Sequence, residues 1–362
     1  MNSHKFSATL GGEAVTIETG KLAQQAGGAV TIRCGDTVLL VTATMSRDVR
    51  EGISFFPLRV DFEERLYAAG RIPGSFFRRE GRPTESATLT MRLTDRPIRP
   101  LFPKDLRNDV QIIITPLSHD EEHQADILSI IGASAALTVS DIPFDGPVGA
   151  VRVGLIDGEL MINPTVSQME DSTLDLRLAG SADAVLMVEA GADEVGEDVI
   201  IKALRRGHES IQDLIRVQNE MREAVGKSKR TYVPYAVPDG LPEIIRQHVG
   251  SRLSEAIYGA TSKHDFNERL RLMKEELVEE LGEEWDVGAV KDAFEEAQRE
   301  IIRRRTIEEG VRADGRDTRM IRPLSAEVGL LPRTHGSGLF TRGETQVLSI
   351  ATLGTPREEQ TL

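Results

Sequence analysis

An internal repeat is the sequence feature that most constrains the fold. Residues 18–44 (ETGKLAQQAGGAVTIRCGDTVLLVTAT) and residues 327–352 (EVGLLPRTHGSGLFTRGETQVLSIAT) carry the same residue types at the same spacing, with one single-residue gap. The matched positions are Glu18, Gly20, Leu22, Gly27, Gly35, Asp36, Thr37, Leu40, Ala43 and Thr44, against Glu327, Gly329, Leu331, Gly336, Gly343, Glu344, Thr345, Leu348, Ala351 and Thr352. Such self-similarity indicates a duplicated structural unit.

The spacing of apolar residues predicts an α+β protein, because strands precede long helices. A hairpin is expected over 4–19, a strand pair over 29–45 and a small-residue helix over 126–140. Further strands are expected at 111–115, 148–156, 159–162, 174–178 and 184–190, and one long helix at 197–225. Three more helices are expected near 242–258, 265–281 and 287–305.

These elements predict a first domain over 1–226, a proline-containing linker over 227–241 and an all-helical domain over 242–309. Residues 310–362 would begin the second copy of the first domain. Because the first copy needs far more residues than remain, a second core could not close within this length. We therefore expect the sequence to be a truncated form or one piece of a longer polypeptide.

A basic segment over 70–103 stands out in a chain whose formal net charge is −14. It contains Arg71, Arg78, Arg79, Arg82, Arg92, Arg96 and Arg99, against Glu80, Glu85 and Asp95. The adjacent rings of Phe76 and Phe77 lie beside two of these arginines. Rings that stack on bases next to guanidinium groups that bind phosphates suit single-stranded RNA or DNA. The alternative, two ordinary core residues, is disfavoured because neighbouring side chains of an extended segment face opposite sides.

Composition excludes several classes of function. The single cysteine, Cys34, lies in an apolar run, which excludes a disulfide framework or a cysteine metal cluster and indicates a buried thiol. The N-terminus lacks the apolar core of a signal peptide, and no stretch has the length of a membrane span. We therefore expect a cytoplasmic protein with no membrane partner.

With its repeat, its helical insert and the segment GRIPGSFFRREGRP, the sequence resembles the bacterial polynucleotide phosphorylases over its whole length. The blocks RLTDRPIRPLFP, GASAALTVSDIPF, VRADGRD and RTHGSGLFTRGETQ follow in the order of that family. The resemblance implies an RNase PH-like core, an all-α domain and the first strands of a second, truncated RNase PH-like core. It also implies a ring-shaped homotrimer, with a place in an RNA-degradation complex, that degrades RNA from the 3′ end. Inorganic phosphate would be the co-substrate, Mg²⁺ the cofactor and nucleoside diphosphates the products.

The resemblance also distributes roles among residues. It assigns Phe76, Phe77, Arg78 and Arg79, with Arg82 beside them, to a loop that contacts RNA in the channel. Arg92, Arg96 and Arg99 match an arginine block that either binds an anion or forms structural ion pairs.

The family's catalytic aspartates and phosphate-binding serine pair belong to the second copy and would lie beyond Leu362. No catalytic or metal-binding residue is therefore expected within the sequence. At the corresponding places the first copy has Ala125 and Asp126, and Ser167 and Thr173. This chain is accordingly expected to be a noncatalytic partner that guides RNA and supports trimer assembly.

Two other groups of polar residues are weaker candidates. His119, His123 and Asp126 have helical spacing, but a polar helix start with exposed histidines explains them better than a metal site does. The carboxylates of Asp61, Glu63 and Glu64 are expected in a solvated turn before the arginine segment.

Overall fold

The computed structural model describes residues 3–50, 52–53, 55–74, 76 and 78–358. The chain divides into two compact units, Met1–Ala236 and Val237–Leu362. Among the described residues, no helix combines the length and the apolar character needed to cross a bilayer.

The first unit contains a six-stranded sheet with the order β1-β2-β3-β4-β6-β5. Its strands alternate between buried and more exposed residues, so that one face packs into the core. β5 runs parallel to β6, and the other neighbours are antiparallel. The strands are β1 His4–Leu10, β2 Glu13–Thr19, β3 Gly28–Cys34, β4 Thr37–Met45, β5 Leu58–Phe62 and β6 Val110–Ser118.

Helix α2 (Ala125–Val139) lies in the core, and its residues from Ile127 to Val139 are all buried. Its small residues permit close packing on the sheet: a Cβ atom on Gly132 would lie 2.7 Å from Cγ2 of Val41. Helix α1 (Glu85–Ile98) packs against α2 and β5. The short helix α3 spans Val166–Met169.

A four-stranded antiparallel sheet with the order β10-β9-β7-β8 completes the first unit. Its strands are β7 Gly149–Ile156, β8 Glu159–Ile162, β9 Leu174–Gly180 and β10 Val185–Ala192. The helix predicted over 197–225 is two helices, α4 (Glu197–Ser210) and α5 (Gln212–Val225). The break is at Ile211, whose buried side chain packs against Gly149 and Gly180, so that α4 covers this sheet while α5 turns to β1 and α2.

The second unit contains helices α6 (Leu241–Tyr258), α7 (Lys263–Leu281) and α8 (Val287–Glu308), as predicted. Each packs on the other two around a core that includes Phe294. Side chains of Ser262 and Asp286 cap α7 and α8. The unit also contains an antiparallel sheet of β11 (Leu324–Val328), β12 (Gly336–Arg342) and β13 (Thr345–Ala351).

Strand register confirms the internal repeat. Gly28 pairs with Ala43 in β3 and β4, and Gly336 pairs with Ala351 in β12 and β13, so the strand register aligns Gly336 with Gly28, one residue after the Gly27 expected from the sequence. The ends of the two hairpins agree as well, because Cys34 pairs with Thr37 and Arg342 pairs with Thr345. The two turn glycines, at positions 35 and 343, adopt φ values of +56° and +61°. The same backbone therefore forms twice from the two related segments.

Candidate nucleic-acid interface

The arginine-rich segment begins as a loop that is fixed at both ends. Gly70 ends a 3₁₀ turn with a φ of +67°, and Thr84 caps α1 by accepting a hydrogen bond from the backbone nitrogen of Ala87 at 3.1 Å. The carboxylate of Glu64 joins the two ends, since it accepts hydrogen bonds from the backbone nitrogen and the hydroxyl of Thr84 at 3.1 and 2.8 Å. We call residues 70–83 the basic loop.

The neighbouring carboxylates match the expected solvated turn only in part, since Glu63 and Glu64 follow β5 and Glu63 is exposed, whereas Asp61 is largely buried. Asp61, expected in a turn, lies on β5 with 13% of its side chain exposed and accepts hydrogen bonds from Arg59 and Gln111 at 2.9 and 2.8 Å. Glu63 pairs with Arg65 at 3.2 Å. Together with Glu64, these residues hold the chain on the approach to the basic loop.

The basic loop presents an aromatic ring to solvent. Phe76 is 93% exposed, which excludes a core role for this ring. Arg78 adopts a left-handed backbone conformation with a φ of +51°, and its guanidinium donates a hydrogen bond to the carbonyl of Pro73 at 3.3 Å. Phe77 lies outside the described residues. The exposed ring beside arginines is the arrangement that the RNA-binding prediction requires.

The two arginines of α1 and Arg99, which follows the helix directly, differ in their contacts. Arg96 donates to Glu189 at 2.7 Å, which connects α1 to β10. Arg99 forms a bidentate pair with Asp95 at 2.7 and 2.8 Å and also donates to two backbone carbonyls on the approach to β5. Arg92 is exposed and makes no hydrogen bond or ion pair with the described residues. Arg96 and Arg99 are therefore engaged in contacts within the fold, whereas Arg92 is accessible to an anion.

The basic loop contains two further exposed cations. Within the described residues, neither Arg71 nor Arg82 has a hydrogen-bonded or ion-paired side chain. Arg82 also lines a cleft of about 690 Å³ below the loop. The loop thus combines an exposed ring with the guanidinium groups of Arg71 and Arg82, which no carboxylate of the described residues neutralises.

The cleft holds a charge network that sequence reasoning did not identify. Arg152 on β7 is 3% exposed, and burial lowers its pKa below the ordinary value. Asp126 accepts hydrogen bonds from Arg152 and Arg177 at 2.8 and 3.0 Å, while Asp175 lies 3.1 and 3.0 Å from the same two guanidinium groups. Arg177 also reaches Glu189 at 3.4 Å. The sequence did offer a signal for this network, namely Arg152 among the apolar residues of β7, because a buried charge needs a partner.

The first-copy positions that the resemblance matches to the family's catalytic residues make contacts within the fold. Asp126 neutralises the two arginines, and Ala125 at the start of α2 has no side-chain donor. Ser167 donates to the carboxylate of Glu122 from both its hydroxyl and its backbone nitrogen. The hydroxyl of Thr173 donates to the carbonyl of Leu155 at 3.3 Å. None of these positions offers paired carboxylates to a metal ion.

The histidines before α2 are not an exposed helix start. His123 precedes the helix in a turn, and 16% of its side chain is exposed. Its Nδ1 lies 2.6 Å from Asp120 and its Nε2 lies 2.6 Å from Glu13. Burial acts to lower the pKa of His123, but these two carboxylates raise it above the ordinary value. Burial and the nearby Glu13 raise the pKa of Cys34 to about 12.

Three family models match consecutive parts of the chain. The 3′ exoribonuclease family, domain 1, matches residues 12–143, and domain 2 of that family matches residues 146–210. The RNA-binding domain of polyribonucleotide nucleotidyltransferase matches residues 240–317. The first unit accordingly has the RNase PH-like fold, followed by a helical domain.

Curated relatives match nearly the whole chain. A polyribonucleotide nucleotidyltransferase of Roseiflexus sp. is 52% identical over 99% of this chain and 49% of its own length. One from Heliobacterium modesticaldum is 51% identical, again over 99% of this chain and 50% of its own length. A crystal structure of rice (Oryza sativa) Rrp46 has a TM-score of 0.47 at 13% identity and covers 58% of this chain and 93% of that chain. The chain therefore belongs to the polyribonucleotide nucleotidyltransferase family and spans about half the length of the curated relatives it matches.

Proposed function

We propose that this chain is the RNA-guiding part of a phosphate-dependent 3′–5′ exoribonuclease. The observation that carries the proposal is the basic loop, where Phe76 is 93% exposed beside Arg78 and Arg79 in a chain of net charge −14. Bases stack on exposed rings, and phosphates bind guanidinium groups. Phe77, Arg82 and Arg92 extend this surface in the proposal. Its ligand is single-stranded RNA.

The reaction of the longer protein is attack of inorganic phosphate on the 3′-terminal phosphodiester, which releases a nucleoside diphosphate. A metal ion, Mg²⁺ in this proposal, would offset the charge that develops at the attacked phosphate. The residues that hold it would belong to the second RNase PH-like copy, outside this sequence. In the first copy, the pairing of Asp126 with Arg152 and Arg177 supports a noncatalytic role, because the arginines that could bind phosphate are already neutralised.

The proposal includes the organisation of the longer protein. Residues 1–226 form the first RNase PH-like domain, 227–241 a linker, 242–309 the helical domain and 310–362 the start of the second copy. The shared strand register of the two hairpins supports this last assignment. The protein assembles as a cytoplasmic homotrimer and takes part in an RNA-degradation complex.

The reaction is tested with the full-length gene product, single-stranded RNA, phosphate and Mg²⁺. Nucleoside diphosphates are the expected products, and they should disappear when phosphate is omitted. Release of nucleoside monophosphates without phosphate would identify a hydrolase and contradict the proposal.

The noncatalytic role is tested with residues 1–362 alone. We expect this chain to bind single-stranded RNA with an affinity that falls as salt concentration rises, since phosphate contacts release counterions. We expect no phosphorolysis by it. Phosphorolysis by the purified chain would show that the first copy is catalytic.

A further inference from the structure

A group of metal-ligand side chains lies at one end of the six-stranded sheet, apart from the basic loop. Glu13 starts β2, Cys34 ends β3, and His123 lies in the turn before α2. One donor atom from each lies within 4.8 Å of the other two. Cys34 Sγ is 3.6 Å from Glu13 Oε2, which in turn is 2.6 Å from His123 Nε2. Three distant segments of the chain thus bring a thiol, a carboxylate and an imidazole together.

We propose that Glu13, Cys34 and His123 bind one divalent transition-metal ion of the zinc type. A tetrahedral zinc ion with bonds of about 2.0–2.3 Å places its sulfur and oxygen ligands about 3.5 Å apart, close to the observed separation. Its nitrogen and oxygen ligands would be about 3.3 Å apart, so that Glu13 would move by about 0.7 Å. This residue is exposed and has a flexible side chain, which permits the movement.

The imidazole is already oriented as in known zinc sites. A metal-bound histidine usually donates its other ring N–H to a carboxylate, which fixes the tautomer and the ring orientation. Asp120 Oδ2 lies 2.6 Å from Nδ1 of His123, which leaves Nε2 directed towards Glu13, where a metal ion would replace the proton that Nε2 donates to this carboxylate. Asp120 is itself fixed, because its carboxylate accepts hydrogen bonds from the backbone nitrogens of Asp36 and Glu122 and from the hydroxyl of Thr37.

The backbone at Gly35 also positions the ring. A Cβ atom there would lie 2.4 Å from Nδ1 and Cε1 of His123, and the residue has a φ of +56°. The imidazole therefore packs directly on the turn that follows Cys34. Such close packing leaves the ring little freedom to move away from the thiol.

The donors are not required by the fold of the hairpin. Cys34 corresponds by strand register to Arg342 in the second copy, which forms the same hairpin with a cation at this position. The site is thus a property of the first copy alone. Thiolate and imidazole ligands favour zinc-type ions over Mg²⁺, which distinguishes this site from the proposed catalytic one. The ion would displace the thiol proton of Cys34 to solvent, and the resulting thiolate together with the Glu13 carboxylate would neutralise the divalent charge.

A bound ion would stabilise the wall of the cleft. His123 is separated by one residue from Ala125, where α2 begins, and residues 124–126 line the cleft. The ion would connect this turn to β2 and β3. It would act as a structural clip rather than as a participant in phosphorolysis.

The test uses metal-free residues 1–362, kept reduced and titrated with Co²⁺. We expect one equivalent to bind and to produce a thiolate-to-cobalt charge-transfer band in the near ultraviolet. Because the chain has a single cysteine, only Cys34 can produce this band. Addition of Zn²⁺ should remove the cobalt spectrum and raise the melting temperature of the protein.

Substitutions separate metal binding from a purely structural role. Cys34→Ser and His123→Gln should each lose the band or the one-equivalent binding, whereas the control Glu18→Gln, also on β2, should keep both. Asp120→Asn should weaken Co²⁺ binding by about 10–100-fold while the saturated protein keeps its band. Far-ultraviolet circular dichroism checks that each variant is folded.

Two results would overturn the proposal. One is a folded wild-type chain that shows no thiolate band at any Co²⁺ concentration. The other is a cobalt spectrum that is unchanged in folded Cys34→Ser, which would place the ion on other histidines. Either result would identify the group as a hydrogen-bond network that joins β2 to the turn before α2.

Discussion

The substitution Phe76→Ala should weaken RNA binding without destabilising the protein. The residue is 93% exposed, so folding buries only about 14 Å² of a ring that offers about 200 Å². At about 25 cal/mol per Å², its burial contributes about 0.4 kcal/mol to stability. A base stacked on the ring contributes about 1–3 kcal/mol, which corresponds to about a 5- to 150-fold increase in Kd on substitution.

The assay is fluorescence anisotropy with a labelled single-stranded oligoribonucleotide, beside thermal unfolding of the same samples. The matched control is Phe55→Ala, another exposed phenylalanine that lies outside the basic loop. The control should bind RNA as the wild type does. Unchanged RNA affinity in folded Phe76→Ala, or an equal loss in the control, would refute the assignment of the ring to RNA binding.

Four further predictions concern charge, packing and pH. The slope of the logarithm of the RNA association constant against log salt concentration should be about −3 if the four arginines of the basic loop each neutralise one phosphate. It should be about −5 if all seven arginines of residues 70–103 do so. Gly35→Ala should lower the melting temperature of the first unit in calorimetry by more than Gly12→Ala does. Both glycines have a positive φ, but only at position 35 would the new Cβ lie 2.4 Å from another side chain. Asp126→Ala should lower the free energy of unfolding in urea by about 3 kcal/mol, since it leaves Arg152 buried beside fewer acids. The double variant Asp126→Ala/Arg152→Met should recover part of this loss. Hydrogen bonds from Arg269 and from the backbone of Thr261 lower the pKa of Asp265 to about 2. The helical domain should therefore lose stability as pH falls from about 4 towards 2. Asp265→Asn should flatten this pH dependence, which the fluorescence of the single tryptophan follows.

Local patterns predicted most of the elements because each of these depends on neighbours along the chain. The three helices of the second unit follow from apolar residues at helical spacing, although α7 begins at Lys263, two residues before the expected start, because Ser262 caps it. The repeat predicted a second hairpin, because residues 336–351 carry the same glycines and apolar residues as the first one. Its register follows from the turn glycines Gly35 and Gly343, because a turn of fixed length determines which residues pair.

The charge network and the histidine contacts could not be predicted in the same way. Arg152 and Arg177 are opposite each other only because β7 pairs with β9 in one register, and both reach Asp126 on a helix. The contact between Glu13 and His123 joins residues 110 positions apart. The break at residue 211 depends on packing between sheet and helix, so helical periodicity continues through it. Each of these features depends on tertiary contacts rather than on sequence spacing.

The contacts of the arginines divide the basic segment into two parts that its sequence does not distinguish. Arg96 near the end of α1 and Arg99 directly after it pair with carboxylates and carbonyls, and these contacts connect α1 to β10 and β5. On the basic loop, Arg71 and Arg82 are exposed and make no ion pair with the described residues. An arginine already held in a bidentate pair must break that pair before it can bind a phosphate, whereas an exposed one loses only hydration and side-chain freedom. The surface that binds RNA in the proposal is therefore the loop, with Arg92 at its border, and the remainder of α1 is the scaffold that holds the loop in place.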